Sequence, residues 1–310
     1  MVMMAAMVGM AMAASEPVEV QIAGPEGPVV GTLSGPADGA AMILIPGSGP
    51  TDRNGDNPMG LTGGVFVQLA EALNEQGIAV LRYDKRGMFG SSAAITDGNA
   101  VTLGAYADDA RGFVDLLREQ GRECVWLAGH SEGGVVALTE AARNPEGLCG
   151  VLLLATPGRP LLDVLEEQLS AQLPPAMMGP VGDGLESLRA GKTFDVETLA
   201  PPLRAMFNPG VQPYLIDVGN TDPADLAGQI SVPMLILSFD EDIQVVEADA
   251  DALSAGQPGA TRVDLPGVNH AFKPVAAGAD RMTNVATYAD AHLKIDPAIA
   301  DAIAAFVKTR

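Results

Sequence analysis

Short apolar runs alternate with helix-spaced apolar residues along most of the chain. Runs typical of buried strands occupy residues 41–45, 78–81, 124–128, 150–155 and 232–237. Amphipathic helices are predicted between them. One example carries Phe66, Leu69 and Leu73 on one face and ends at Gly77. Buried strands that alternate with amphipathic helices predict a parallel sheet covered by helices on both faces.

Two segments depart from this alternation. Residues 18–22 and 29–33 alternate between apolar and polar positions around a Gly- and Pro-rich turn, which predicts an antiparallel hairpin at a sheet edge. Residues 157–228 are rich in Pro and Met and lack a strong strand pattern, so we predict a small helical lid there. The predicted organisation is an α/β core at 15–156 and 229–310, a lid at 157–228, and a signal peptide at 1–14.

The composition limits the class of protein and its partners. The chain has 310 residues, 47% of them hydrophobic, which is enough for one large α/β domain with a sizeable core. Its formal net charge is −21 and its pI is about 4.3. Such a surface repels nucleic acid and anionic membranes and favours solubility. We therefore expect no nucleic acid partner and no stable membrane insertion; the oligomeric state stays open.

The first fourteen residues are uncharged and consist mostly of Met, Ala and Val. Ala11-Met12-Ala13 resembles the small-residue cleavage site of a secretory signal peptide, with cleavage near Ala13 or Ala14. A periplasmic or secreted protein is the prediction. No Lys or Arg precedes the apolar segment, so an apolar tail on a cytoplasmic protein is the alternative.

The two cysteines, Cys124 and Cys149, start consecutive predicted strands on either side of one helix. In a βαβ unit these strands are parallel neighbours, so both thiols are expected at the same end of the sheet. A disulfide suits an exported protein, whereas two buried free thiols suit a cytosolic one. The sequence leaves both alternatives open.

The most informative stretch is Gly129-His130-Ser131-Glu132-Gly133-Gly134. A predicted strand precedes it and residues 135–142 favour a helix after it, which is the context that a catalytic G-x-S-x-G motif needs. Glycines let two backbones approach closely, so the hydroxyl of Ser131 is exposed beside the free N–H groups of the first helical turn. We predict Ser131 as a nucleophile. A Gly-rich turn with a capping serine is the alternative.

The predicted base is one of three histidines, because a serine hydroxyl needs an adjacent base to attack at neutral pH. His270 follows the last predicted strand, in a loop expected at the same rim as Ser131. It also fits the chain order serine, acid, histidine. We therefore predict His270 as the base, His130 as a structural residue and His292 as an exposed one.

The loop after the strand at 232–237 contains the predicted acid. Three carboxylates compete there, and Asp242 lies deeper in the loop than Asp240, the second choice. Its role is to orient the imidazole and to stabilise its charged form.

An oxyanion hole needs two N–H donors, one after the nucleophile and one from the loop after the first central strand. We predict the N–H groups of Glu132 and of Ser48, the latter within Pro46-Gly47-Ser48-Gly49. A plain turn is the alternative for this second loop.

Five blocks in this order resemble the α/β-hydrolase superfamily, and within it the serine esterase and serine aminopeptidase-like (S33-type) branch. These blocks are Pro46-Gly47-Ser48-Gly49-Pro50 with Asp52-Arg53, Tyr83-Asp84-Lys85-Arg86-Gly87 with Gly90 and Ser91, the segment around Ser131, Asp242 with Gln244-Val245, and Asn269-His270-Ala271-Phe272-Lys273. Two departures concern the shape of the pocket: Pro46 replaces a common histidine, and Met88-Phe89 lengthen the turn after Arg86 by one residue.

The resemblance implies the α/β-hydrolase fold, with a mostly parallel twisted sheet, an antiparallel N-terminal edge hairpin and a helical lid. It implies a small-molecule ester or amide substrate and hydrolysis of its acyl bond through an acyl-enzyme. A carboxylesterase acting on small or medium acyl esters is the first expectation. A peptidase or amidase with the same triad is the alternative, and a non-catalytic binding protein is the third. No cofactor and no metal are expected.

Further residues have two possible roles each. Asp84 with Arg86, and Asp52 with Arg53, are each expected to form a partly buried ion pair that anchors a loop rather than to contact substrate. Acidic residues of the predicted lid are candidates for holding a substrate ammonium or are merely solvated; they are Glu166, Glu167 and Asp183. Large apolar residues of the same segment either wall an acyl pocket or pack together; they are Met177, Met178, Met206, Phe207 and Tyr214.

Overall fold

The structure is a computed structural model that describes residues 15–58 and 60–310. The predicted signal peptide, residues 1–14, lies outside the described residues. Eight strands form one sheet in the order β1-β2-β4-β3-β5-β6-β7-β8. Their bounds are β1 Ser15–Ala23, β2 Pro28–Gly35, β3 Ala41–Ile45, β4 Ala79–Tyr83, β5 Val125–His130, β6 Leu148–Leu154, β7 Met234–Phe239 and β8 Thr261–Leu265.

The sheet combines an antiparallel edge with a parallel centre. β1 and β2 form the predicted hairpin, with Ile22 opposite Val29, and β2 is also antiparallel to β4. The remaining neighbours, from β4 through β3, β5, β6 and β7 to β8, pair in parallel. The predicted mostly parallel sheet with an antiparallel edge is therefore confirmed. Its parallel strands all end at one rim, which we call the carboxyl rim.

Eleven α-helices surround the sheet in the described residues. Their bounds are α1 Val65–Glu75, α2 Leu103–Glu119, α3 Glu132–Arg143, α4 Leu161–Gln172, α5 Pro175–Arg189, α6 Pro201–Met206, α7 Gln212–Gly219, α8 Pro223–Gly228, α9 Glu247–Gly256, α10 Arg281–Ala286 and α11 Pro297–Lys308. The short α10 was not predicted from the sequence.

The core has two layers because the side chains of each strand alternate between the two faces of the sheet. On β3, Ile43 and Ile45 pack with α2 and α3, whereas Met42 and Leu44 pack with α1 and α11. All four side chains are almost fully buried. This two-sided burial explains why the central strands are continuous apolar runs rather than alternating ones.

The chain between β6 and β7 carries only helices in the described residues, α4 to α8. Many of their apolar side chains form a separate cluster that includes Leu185 and Phe207, whereas Tyr214 and Val218 of α7 pack into the core. Polar contacts also tie these helices to the core. The N–H of Leu103 donates to the carboxylate of Asp217, and Gln168 donates to the carbonyl oxygen of Gln244. That this segment acts as a lid, with the predicted boundaries 157–228, stays a prediction.

A disulfide joins Cys124 and Cys149, with their Cα atoms 5.2 Å apart. It lies at the amino-terminal ends of β5 and β6, which are paired in parallel. The sequence left open a disulfide or two buried free thiols, and the structure has the disulfide. The bond lies at the opposite end of β5 from Ser131.

Candidate active site

Ser131 lies on a sharp turn between β5 and α3. Its φ of 53° and ψ of −127° are unusual for a residue with a side chain. The turn is fixed by a 2.9 Å hydrogen bond from the N–H of Ser131 to the carbonyl oxygen of Leu154. A Cβ at Gly129 would collide with the backbone of Gly133, and a Cβ at Gly133 would collide with the carbonyl of Ile45. Both glycines of the motif are therefore required by close backbone packing, and Ser131 stays partly exposed.

A buried hydrogen bond joins the predicted base to the predicted acid. His270 Nδ1 donates to Asp242 Oδ2 over 2.7 Å, and the two side chains are 8% and 0% exposed. The other carboxylate oxygen accepts the N–H groups of Gln244 at 2.7 Å and Val245 at 3.0 Å. In a neutral imidazole that donates through Nδ1, Nε2 carries the lone pair. The pair therefore presents Nε2 of His270 as a proton acceptor.

The structure separates Asp242 from its competitor Asp240. The carboxylate of Asp240 accepts the N–H of Gly267 and belongs to an exposed residue. It therefore holds the loop after β8 in place and does not contact His270. Asp242, which the sequence favours because of its deeper position in the loop, is the buried residue of the two.

His130 connects the serine turn to the histidine loop. Its Nε2–H donates to the carbonyl oxygen of His270 over 2.9 Å, and the two imidazole rings lie 4.7 Å apart. The rings of Phe66 and Phe272 contact it edge-on. Burial, and then the neighbouring His270, lower the pKa of His130 well below its usual range, so this ring is neutral. Ser131 and His270 thus share the carboxyl rim, and His130 is buried, as expected of a structural residue.

The predicted oxyanion loop, Pro46-Gly47-Ser48-Gly49, lies against the serine turn. A Cβ placed on Gly47 would be 3.1 Å from Cβ of Ser131. The Ser48 hydroxyl donates to the carboxylate of Glu132 over 3.1 Å. Glu132 is the first residue of α3, so its N–H has no carbonyl acceptor within the helix. The loop and the helix terminus therefore meet beside Ser131, as an oxyanion hole requires.

A network of amides supports the histidine loop, and the sequence analysis did not identify it. The buried Asn269 accepts the N–H groups of Ala271 and Lys273, and its own amide donates to Asn284 at 3.1 Å and Thr287 at 2.7 Å. Asn284 in turn donates to the carbonyl oxygen of Glu241 in the acid loop over 2.7 Å. The loops that carry His270 and Asp242 are therefore linked through α10. Asn269 belongs to a quoted block, but no local pattern indicates Asn284.

The loop-anchoring ion pairs exist, with partners that differ from the expected ones. Asp84 binds Arg53, at 3.0 Å, rather than Arg86. Arg86 forms a two-bond pair with Asp109 of α2, at 2.6 and 2.7 Å. Burial raises the pKa of Asp109, and the Arg86 guanidinium counteracts that shift. Asp52 accepts two backbone N–H groups of its own turn.

Two acidic residues that were candidates for binding a substrate ammonium are engaged by arginines. Glu166 binds Arg189 at 2.6 Å and Glu167 binds Arg159 at 2.8 Å. Asp183 is exposed. The ion pairs make Glu166 and Glu167 poor ammonium sites, because a ligand would have to displace an arginine.

The apolar residues of the predicted lid divide into two groups. Phe207 and Met178 pack within the helical cluster, and Tyr214 packs on Tyr106 of α2 with ring centroids 5.7 Å apart. Met177 and Met206 are 40% and 43% exposed. Packing within the helical segment therefore accounts for Phe207 and Met178, and packing on the core accounts for Tyr214. Met177 and Met206 are left as surface residues.

Two features are absent from the part of the chain that the structure describes. No group of three or more His, Cys, Asp or Glu side chains there is arranged to hold a metal ion. None of the helices in that part combines the length and the apolar character needed to cross a bilayer.

Comparison with known proteins identifies similar sequences and folds. Residues 59–179 match the family model for serine aminopeptidase, S33. Esterase EstD of Thermotoga maritima is 30% identical over 213 residues, which is 68% of this chain but 48% of EstD. The chain thus spans about half the length of this curated relative.

Two solved structures extend the similarity over nearly the whole chain. Est1E of Butyrivibrio proteoclasticus, solved with ferulic acid bound, has a TM-score of 0.60 at 19% identity and covers 94% of this chain and 98% of its own. The proline iminopeptidase of Mycobacterium smegmatis has a TM-score of 0.61 at 15% identity, with the same coverage. The resemblance seen in the sequence is confirmed: the chain has the α/β-hydrolase fold, and its sequence is similar to the serine aminopeptidase, S33 family and to an esterase.

Proposed function

We propose that the protein is a serine hydrolase that cleaves small or medium carboxylic esters through an acyl-enzyme. The observation that supports this most strongly is the buried 2.7 Å hydrogen bond between His270 and Asp242, at the same rim as the strained Ser131. A histidine oriented by a carboxylate, at the same rim of the sheet as a partly exposed serine on a strand-to-helix turn, is the arrangement that activates a hydroxyl.

In the proposed mechanism, Nε2 of His270 accepts the hydroxyl proton as Oγ of Ser131 attacks the ester carbonyl carbon. Asp242 stabilises the imidazolium that forms, and the N–H groups of Ser48 and Glu132 bind the oxyanion. The imidazolium then protonates the departing alcohol, which leaves an acyl group on Ser131. Water, deprotonated by His270, attacks this acyl-enzyme and releases the carboxylic acid.

Two observations favour an ester over a peptide substrate. The relative that aligns with 68% of the chain is named an esterase. An aminopeptidase needs an anionic group for the substrate ammonium, and Glu166 and Glu167 are already bound to arginines.

Parallel turnover assays test the proposal. Hydrolysis of p-nitrophenyl acetate and p-nitrophenyl butyrate is compared with hydrolysis of an aminoacyl p-nitroanilide by the same preparation. We expect ester turnover to exceed anilide turnover and to disappear in Ser131→Ala. Faster anilide turnover would favour the peptidase. Absence of both activities from a folded protein would favour a binding protein.

We also propose export to an oxidising compartment. The Cys124–Cys149 disulfide supports this proposal, because disulfides are rare in reducing cytosol. N-terminal sequencing of the protein from its native host is expected to begin near Ser15. Retention of Met1 would contradict export through a cleaved signal peptide.

A further inference from the structure

A buried ion pair lies directly behind the predicted oxyanion hole. Lys85 follows β4, and its Nζ is 3.6 Å from the carboxylate of Glu132. Their side chains are 2% and 4% exposed. Stability alone is a weak reason for such a pair, because desolvation of two charges offsets most of their attraction. The other contacts of the pair indicate what it does.

Both charged groups bind the oxyanion loop. Nζ of Lys85 donates to the carbonyl oxygen of Gly47 over 2.7 Å, and the carboxylate of Glu132 accepts the hydroxyl of Ser48 at 3.1 Å. The ring of Tyr106 lies 5.2 Å from the same Nζ and covers it. Each member of the ion pair therefore holds one of two consecutive residues of the loop.

The bond to Gly47 fixes the direction of a catalytic donor. The carbonyl of Gly47 and the N–H of Ser48 belong to one planar peptide group. That peptide is trans, as are the other described peptide bonds, so its C=O and N–H point in opposite directions. A cation that holds the carbonyl of Gly47 therefore directs the N–H of Ser48 to the opposite side of the peptide, away from Lys85. It also polarises the peptide, which strengthens the N–H as a donor.

Without this restraint the loop has an alternative. Gly47 has no Cβ and can rotate about its backbone bonds at little steric cost. Rotation of the Gly47–Ser48 peptide would present a carbonyl oxygen, rather than an N–H, to the developing oxyanion. That orientation repels negative charge instead of stabilising it.

We propose that Lys85 is a positioning residue for the oxyanion hole: it locks the Gly47–Ser48 peptide with the Ser48 N–H facing the substrate oxygen, and Glu132 serves as its buried counter-ion. This inference rests on the proposed hydrolase function. Glu132 thus contributes twice, through its backbone N–H and through its carboxylate. Tyr106 and Tyr214 shield the pair from water. Burial, and to a smaller extent the charge of Glu132, raises the pKa of both tyrosines.

The test compares Lys85→Met with the double variant Lys85→Met/Glu132→Gln. The single variant leaves a buried carboxylate unpaired and is expected to be less stable. The double variant removes both charges and is expected to regain stability. If the Lys85–Gly47 bond positions the donor, the double variant still loses about 100-fold in kcat on p-nitrophenyl acetate, comparable to loss of one oxyanion donor, while KM stays near the wild-type value.

A boronic acid inhibitor provides a readout that a purely structural role would not change. Its tetrahedral adduct places an oxygen where the oxyanion forms, so its affinity is expected to fall in parallel with kcat in the double variant. Ser48→Ala keeps the N–H and removes only the hydroxyl contact, so it is expected to lose about threefold to tenfold in kcat, the value of one hydrogen bond.

Arg122→Met is the matched control. Arg122 is also a buried cation that donates to backbone carbonyls, those of Gly39 and Pro36, but the loop that it holds precedes β3, whereas the loop that Lys85 holds follows β3. We expect Arg122→Met to lower stability and to leave kcat unchanged.

A stable Lys85→Met/Glu132→Gln variant with wild-type kcat and wild-type boronic acid affinity would overturn the inference. If the wild type neither hydrolyses esters nor reacts with a fluorophosphonate, the proposed function fails, and the inference falls with it.

Discussion

The two ends of strand β5 show how differently one chain segment is used. At its amino end, Cys124 is fixed covalently to Cys149 of the neighbouring strand. At its carboxyl end, only seven residues later, Ser131 is held in a strained conformation by hydrogen bonds and close backbone packing. The first end stabilises the sheet, and the second presents the proposed nucleophile. The comparison indicates that stability and proposed activity can be altered separately.

Backbone strain follows the same division. Four non-glycine residues in the described chain have positive φ: Phe89, Ser131, Ala155 and Phe272. They follow the carboxyl ends of β4, β5, β6 and β8, respectively. Such conformations cost about 1–3 kcal/mol each and persist where the surrounding structure determines them strongly. The rigid apolar core therefore supports a strained rim.

The largest expected effect is at the carboxyl end of β5. Ser131→Ala and His270→Ala are each expected to lower kcat by about 10⁶-fold on p-nitrophenyl butyrate, and the double variant by no more, because the residues act as a unit. Chemical denaturation is expected to show little change in the unfolding free energy of Ser131→Ala. Additive losses in the double variant would show that the two residues act independently.

The next effect distinguishes the two aspartates. Asp242→Asn favours the wrong imidazole tautomer and is expected to lower kcat about 10⁴-fold. Asp240→Asn is the matched control, because an asparagine oxygen still accepts the N–H of Gly267. Steady-state kinetics of both variants checks this prediction. A large loss in Asp240→Asn with a small one in Asp242→Asn would reverse the assignment of the acid.

The opposite end of β5 is expected to respond in stability alone. Replacing both cysteines, Cys124→Ala with Cys149→Ala, is expected to lower the unfolding free energy by about 3 kcal/mol, because the cross-link no longer restricts the unfolded chain. Denaturant titration measures this change, and kcat is expected to stay at the wild-type value. Loss of kcat in the folded variant would mean that the two ends are coupled.

The smallest effect is a pH dependence caused by His130. Its pKa is depressed in the folded state by burial and by His270, so below about pH 6.5 the unfolded chain binds a proton that the folded chain does not. Stability is therefore expected to fall as the pH drops below this value, by up to about 1.4 kcal/mol per pH unit. In His130→Gln, which retains a donor for the carbonyl of His270, denaturant titrations from pH 7 to 5 are expected to give a flatter slope. An unchanged slope would assign the effect to other groups.

The sequence predicts the fold well because its signals are local. Buried strands such as β3 are continuous apolar runs, and the turn that carries Ser131 is a contiguous sequence motif. The meeting of Asp242 and His270 also follows from the pattern, because the loops after parallel strands reach one rim.

What the sequence does not predict depends on contacts between distant loops. The six-residue helix α10 has a weak pattern, with Met282 78% exposed and only Asn284 buried. Its amide contacts form only after the fold brings two loops together. Likewise, Arg53 lies 31 positions from Asp84, and Lys85 lies 38 positions from Gly47. The sequence offers several possible partners for each of these charges. Only the folded geometry decides which pairs form.

The most direct test of the central claim is covalent labelling by a fluorophosphonate followed by peptide mapping. The account predicts one adduct per chain, on Ser131, formed rapidly by the wild type, slowly by Asp242→Asn and not at all by Ser131→Ala. A folded wild-type protein that forms no adduct, or forms it on another residue, would contradict the assignment of Ser131 as a nucleophile activated by His270 and Asp242.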